Sequence, residues 1–231
     1  MRRLATLVLV LAVLLGAGAV VVDRWMVSRV EDDLLARAGE HMELAPQSEV
    51  TVDGFPFLTQ VLAGRLAEVR GTAPSLTAEG FTLEDVRVAA RGVQPGEPYA
   101  AETVEINAEV PIGTLRTAMD QAIDVPGAEV GLDVTDGLLR LALTVAGVEL
   151  AVGMEPTIAG DEVALRLGEI LVGESQAPDW LVDGLDELLS DVRLDIPGLP
   201  EGLVPTRLAV TDDALQVRLE GVDVELAAWI D

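Results

Sequence analysis

Val130-Gly131-Leu132-Asp133-Val134-Thr135-Asp136-Gly137, answered by Leu139, Leu141, Leu143 and Val145, sets the architecture of this chain. Apolar residues at every second position give each segment one core-facing side, the period of a strand and not of a helix. Asp136-Gly137 between them is a strong hairpin signal, because glycine reaches the positive φ that two-residue turns require. The pair reads as an antiparallel hairpin. Val148, Leu150 and Val152 continue the alternation after Gly147, and Val163, Leu165 and Leu167 form another strand after Gly160-Asp161.

Upstream, residues 111–123 switch to helical spacing through Ile112, Leu115, Met119, Ala122 and Ile123. Before them lie period-two runs at 66–69, at Leu83, Val86 and Val88, and at Val104, Ile106 and Val110, with Pro95-Gly96 turning between the last two. Residues 49–54 alternate as a strand. Residues 55–64 read as a short apolar helix closed by Gly64, with proline tolerated near its first turn because the missing N–H has no helical partner there. Residues 23–44 read as an amphipathic helix in which Trp25, Met26, Val30, Leu34, Leu35, Ala38 and Met42 recur at three- and four-residue steps. Ala45-Pro46 should end it, and His41, the sole histidine, falls in its last turn, where a cation suits the helix dipole.

Downstream, residues 178–192 read as a helix. Trp180, Leu181, Leu185, Leu188, Leu189 and Val192 share one side, and Asp183, Asp186, Glu187 and Asp191 the other. Pro197, Pro200 and Pro205 break the chain, and a final hairpin turns at Thr211-Asp212-Asp213, extended by Val222, Val224 and Leu226. The expected class is α+β: a curved antiparallel sheet with amphipathic helices packed on one face.

Residues 4–22 carry no charge, and Arg2 and Arg3 precede them. As a helix this run covers roughly 28 Å, close to the hydrocarbon thickness of a bilayer. Arginines before it and an acidic remainder predict a cytoplasmic N-terminus and an exported body. Two readings stay open: a transmembrane anchor, giving a single-pass cell-membrane protein, or a signal peptide cleaved near Ala17-Gly18-Ala19. Residues 1–22 are thus the anchor or signal peptide and residues 23–231 the extracytoplasmic domain. With no cysteine in the chain, both a lipoprotein anchor and disulfide staples are excluded.

Composition narrows the function. All 15 basic residues are arginine, and the formal net charge of −25 argues against nucleic acid, whose binding rests on basic phosphate contacts. The chain is 50% hydrophobic before its 22 glycines are added, against about 45–50% for ordinary domains with glycine included. Aromatics make up only 3%, so the interior is built of Leu, Val, Ile and Ala. Such a surplus means a thick core, a buried partner surface or a cavity for an apolar ligand.

Chemistry is sparse. A serine hydrolase needs a base beside its nucleophile, and one juxtamembrane histidine with no Gly-x-Ser-x-Gly elbow does not supply it. No calcium-loop pattern, thiolate set or phosphate-cradling glycine loop occurs. Neither enzyme activity nor a cofactor or metal is expected.

The stretch from Val52-Asp53-Gly54-Phe55-Pro56-Phe57-Leu58 to Ala63-Gly64, the strand at 83–88 and the close at 199–215 resemble the LmeA-like phospholipid-binding proteins of actinobacterial envelopes. The resemblance spans most of residues 24–226. It implies phospholipid binding, phosphatidylinositol among the candidates, with support of lipoglycan assembly in the periplasm and a fold similar to tubular lipid-binding domains. It brings no catalytic residues. On this basis Phe55, Phe57, Leu58, Val61, Leu62, Leu115, Met119, Trp180, Leu181, Leu185 and Leu188 are the candidate lipid-binding residues, core packing remaining open for the group at 55–62. Arg65, Arg70, Arg87 and Arg91, clustered in an acidic protein, are candidates for a headgroup phosphate, with ordinary surface salt bridges as the alternative. The alternative function is a non-catalytic scaffold that docks an envelope biosynthetic enzyme.

Overall fold

The alternation at residues 130–145 recurs along the chain, and the computed structural model assembles it into two antiparallel sheets. The structure describes residues 2–78, 80–96, 99–122, 129–135, 137–145, 148–160, 162–172, 175–176 and 202–226; of these, side chains are described except at 2–16, 121–122, 129–130, 143, 145, 148–149, 162, 165, 167, 169–172 and 175–176. In chain order the first elements are α1 (Arg2–His41), β1 (Glu43–Leu44), β2 (Glu49–Asp53), α2 (Phe57–Leu62), β3 (Leu66–Ala78), β4 (Phe81–Val93), β5 (Ala100–Pro111) and α3 (Ile112–Ala122). Then come β6 (Glu129–Thr135), β7 (Leu138–Val145), β8 (Val148–Ala159), β9 (Glu162–Val172), β10 (Ser175–Gln176), β11 (Leu203–Val210) and β12 (Ala214–Glu225).

The first sheet runs β1-β3-β4-β5-β12-β11, with β2 also paired to β3; the second runs β10-β9-β8-β7-β6. The class is α+β with open, mostly antiparallel sheets. Where one curved sheet was expected, the described strands divide into two. The reason is long-range: the last hairpin does not extend the meander beside it but returns to β5, pairing Leu215 with Val110 and Leu219 with Ile106.

Register explains the core. Val52, Val69, Ala90, Val104 and Gly221 lie opposite one another across the first sheet, and Gly71, Val88, Ile106 and Leu219 form the next row. In the second sheet Leu132, Leu141 and Val152 align, as do Val134, Leu139 and Met154. These inner faces join Val27, Phe57, Leu115 and Met119 in one buried cluster. Full burial of such a side chain contributes roughly 1.5–3 kcal/mol.

Several local expectations need correction. β3 and β4 are far longer than their apolar runs at 66–69 and 83–88, because Thr, Ser, Ala and Arg fill the solvent-facing ladder positions. Pro205 does not break the chain. It lies buried inside β11, the edge strand of its sheet, just before a bulge, the two settings in which a strand tolerates proline. α1 ends at His41 and not at Ala45-Pro46, since Glu43 and Leu44 pair with Thr77 and Leu76. Its buried line includes Asp23 and Val27, whereas Trp25 is exposed.

α1 begins at Arg2 and runs without a break through the uncharged segment. Among the described residues, no helix is long and apolar enough to cross a membrane. The side chains of residues 2–16, on which most of the transmembrane expectation rests, lie outside those described, as does the helix expected at 178–192.

Candidate functional site

The Gly-Phe-Pro-Phe-Leu segment is a clamped corner between β2 and β3. Gly54 sits at φ +105°, and a Cβ there would lie 2.4 Å from Gln60 Nε2. Gln60 lies that close because its side chain ties the corner together: Nε2 donates to the Asp53 carbonyl at 3.4 Å, and Oε1 accepts the Ala67 N–H at 2.7 Å. Thr59 Oγ1 donates to the Pro56 carbonyl. Gly64, at φ +68°, follows the helix in the left-handed conformation that glycine adopts freely.

α1 holds this corner from the side. Asp23 Oδ1 accepts the Leu58 N–H at 2.9 Å, and Glu31 Oε1 accepts the Val52 N–H at 2.8 Å, two turns apart along one helix. The N–H of Leu58 is in the first turn of α2, where no helical partner exists, so a carboxylate there satisfies the donor and suits the dipole. Asp23 is buried, and its Oδ2 makes no hydrogen bond. Val27 between the two acids packs into the core.

The candidate residues on this corner divide by direction. Phe57 is buried in the central cluster, and Leu58 is half-buried. Phe55, Val61 and Leu62 are exposed. Leu115 and Met119 are buried on α3, which packs against β4, β5 and β6 and so bridges the two sheets. Phe57, Leu115 and Met119 therefore meet in one apolar cluster, together with Val104, Leu215, Leu219, Leu139, Leu141 and Val152, which sequence reasoning placed in strands but not in the site, and with Met154, which continues the alternation of Val152. Their period-two spacing was the available signal. Trp180, Leu181, Leu185 and Leu188 lie outside the described residues.

The four candidate arginines do not join that compartment. Arg70, Arg87 and Arg91 alternate with the buried residues of their strands and occupy the opposite, solvent-facing side of the first sheet. Each has a carboxylate partner: Arg70 with Asp53 at 2.6 Å, Arg87 with Asp85 at 2.6 Å, Arg91 with Glu68 at 3.1 Å, and Arg65 with Glu102. The Asp53 hydrogen bond, then its charge, raises the Arg70 guanidinium above its ordinary value. On the same side a polar hollow of about 330 Å³ is lined by Arg87, Asn107, Arg207, Gln216 and Arg218 among others. Arg218 there is paired with both Glu105 and Glu220.

Among the described residues, no group of three or more His, Cys, Asp or Glu could hold a metal ion. What the arrangement offers is an aliphatic interior between two sheets, reached from a short helix with one side in the core and one in solvent. The chain belongs to the LmeA-like phospholipid-binding family, whose model matches residues 21–220. This is a family of phospholipid binding and not a known family of enzymes. No curated protein and no solved structure matches the chain.

Proposed function

We propose that this is a membrane-anchored, extracytoplasmic protein that takes a phospholipid acyl chain between the inner faces of its two sheets. Its work would be to carry or present lipid for cell-envelope or lipoglycan assembly. The observation that carries this reading is the single aliphatic cluster to which both sheets and all three described helices contribute. The sheets touch where β11 meets β8 and β9, and α3 bridges from β5 to β6. Among the described residues, no hydrogen-bonded ladder crosses that seam. Side chains there can part for an acyl chain without the loss of backbone bonds, in keeping with a tubular lipid carrier. Each buried methylene contributes about 0.8 kcal/mol, so one long chain gains on the order of 10 kcal/mol. Anchorage rests on the uncharged residues 4–22 behind Arg2 and Arg3, and the exported side on the acidic remainder.

Native mass spectrometry of the full chain released from its membrane tests the reading. Phospholipid adducts are expected, and a photoactivatable acyl chain should crosslink to β5, α3, β8 or β12. A folded, lipid-free protein that also refuses added phospholipid would overturn it.

A further inference from the structure

We propose that the solvent-facing side of the α2 corner, with Trp25 at the same height on α1, is a docking surface that sits in the headgroup layer of the lipid bilayer. The argument starts from height along α1. The helix is continuous from Arg2, its uncharged run ends at Val22, and the next residue, Asp23, bonds the first turn of α2. α2 is therefore pinned at the level where the uncharged segment stops. Leu62 is 87% exposed and Phe55 58%. At the same level on α1, Val20, Val21, Val22 and Trp25 are exposed too.

The polar groups nearby suit a headgroup layer. Arg24 lies 5.4 Å from the centre of the Phe55 ring, and Arg29 lies 4.9 Å from that of Trp25. At about 1.5 Å per residue, Trp25 stands roughly 4–5 Å beyond Val22, and Arg29, whose backbone stands roughly 10 Å beyond it, reaches back over the Trp25 ring. A bilayer's polar layer is about 5–8 Å deep on each side, and tryptophan and snorkelling arginine are the residues enriched there. A second copy of the chain is the other candidate occupant of an apolar surface. A net charge of −25 on each molecule opposes that association, whereas the bilayer is already present at this height. Phe57, on the other side of the same helix, reaches the central cluster. α2 thus stands between the bilayer and the apolar compartment.

The inference rests on the anchorage proposed above but not on lipid uptake. Because the chain has no cysteine, Leu62→Cys and Asp212→Cys each give one labelling position, the second in the exposed β11–β12 turn. Each full-length variant carries an environment-sensitive dye and is reconstituted into phosphatidylcholine vesicles with spin-labelled lipid as quencher. Flotation reads anchorage, the dye reads docking, and native mass spectrometry of the same samples reads lipid binding. The expected result is a blue shift and strong quenching at position 62 with neither at 212. Equal, water-like emission at both positions in floating vesicles would overturn the docking surface while leaving lipid binding intact. Failure of the full chain to float would overturn it as well. A blue shift at 62 without vesicles, growing with protein concentration, would assign the surface to a second copy instead.

Discussion

The Asp23 carboxylate accepts the backbone N–H of Leu58 at 2.9 Å, joining two helices 35 residues apart in the chain. With Asp23 buried, removing its carboxylate takes away the partner that this donor has. Asp23→Ala is therefore expected to cost about 1–3 kcal/mol, the desolvation of an orphaned polar group. Asp23→Asn keeps an acceptor and should lose less. Chemical denaturation gives both numbers, and hydrogen exchange at Leu58 should accelerate in the alanine variant.

Gly54 is the second test of the same corner. Alanine there meets both a φ of +105° and the Gln60 amide at 2.4 Å. The expected loss is about 1–3 kcal/mol. If Gln60 swings away to make room, its bond to Ala67 is lost, so Gln60→Ala combined with Gly54→Ala should cost less than the sum of the two single changes.

Leu139 and Met154 face each other across β7 and β8, at 1% and 0% exposure. Truncating either to alanine is expected to cost about 2–5 kcal/mol. Because they share one space, the double variant should depart from additivity by about 0.5–3 kcal/mol. Thermal melts of the four proteins give the cycle.

Arg87 and Arg91 lie across the sheet from the apolar compartment, each already paired with a carboxylate. Replacing both by alanine is expected to leave the amount of retained phospholipid unchanged. A marked loss, read by native mass spectrometry, would place a headgroup on the outer side of the first sheet.

Residues 178–192 offer the last test. If their apolar side covers or lines the lipid site, Leu185→Trp or Leu188→Trp fills space and lowers lipid uptake while the fold survives. In a plain core the same change is overpacking and costs about 1–3 kcal/mol of stability. Uptake and melting of each variant separate the two.

Much of this was legible from residue spacing. The hairpin around Gly137, the helices at 57–62 and 112–122, and the turn at 211–213 follow from local period and turn chemistry. The partnership of β12 with β5 was not, because a strand's alternation fixes which side faces the core but not which strand lies next to it. Asp23 was hidden for a related reason. It looked like the first charge after an apolar run, and only the approach of Leu58 makes it a buried acceptor. Of the candidate lipid-binding residues, Phe57, Leu115 and Met119 lie in the buried cluster, while Phe55 and Leu62 are exposed.

The placement of β12 also governs when the protein can fold. β5 is complete at residue 111, yet its neighbour is made of residues 214–225, at the far end of the chain. The side of β5 that β12 covers thus stays open until residues 214–225 have been delivered. Contacts so distant in sequence slow folding, and an exposed strand edge invites wrong partners while it waits. A chain cut anywhere before residue 203 would lack both strands of the closing hairpin. Residues 203–225, poor in chemistry as they are, decide whether the first sheet closes.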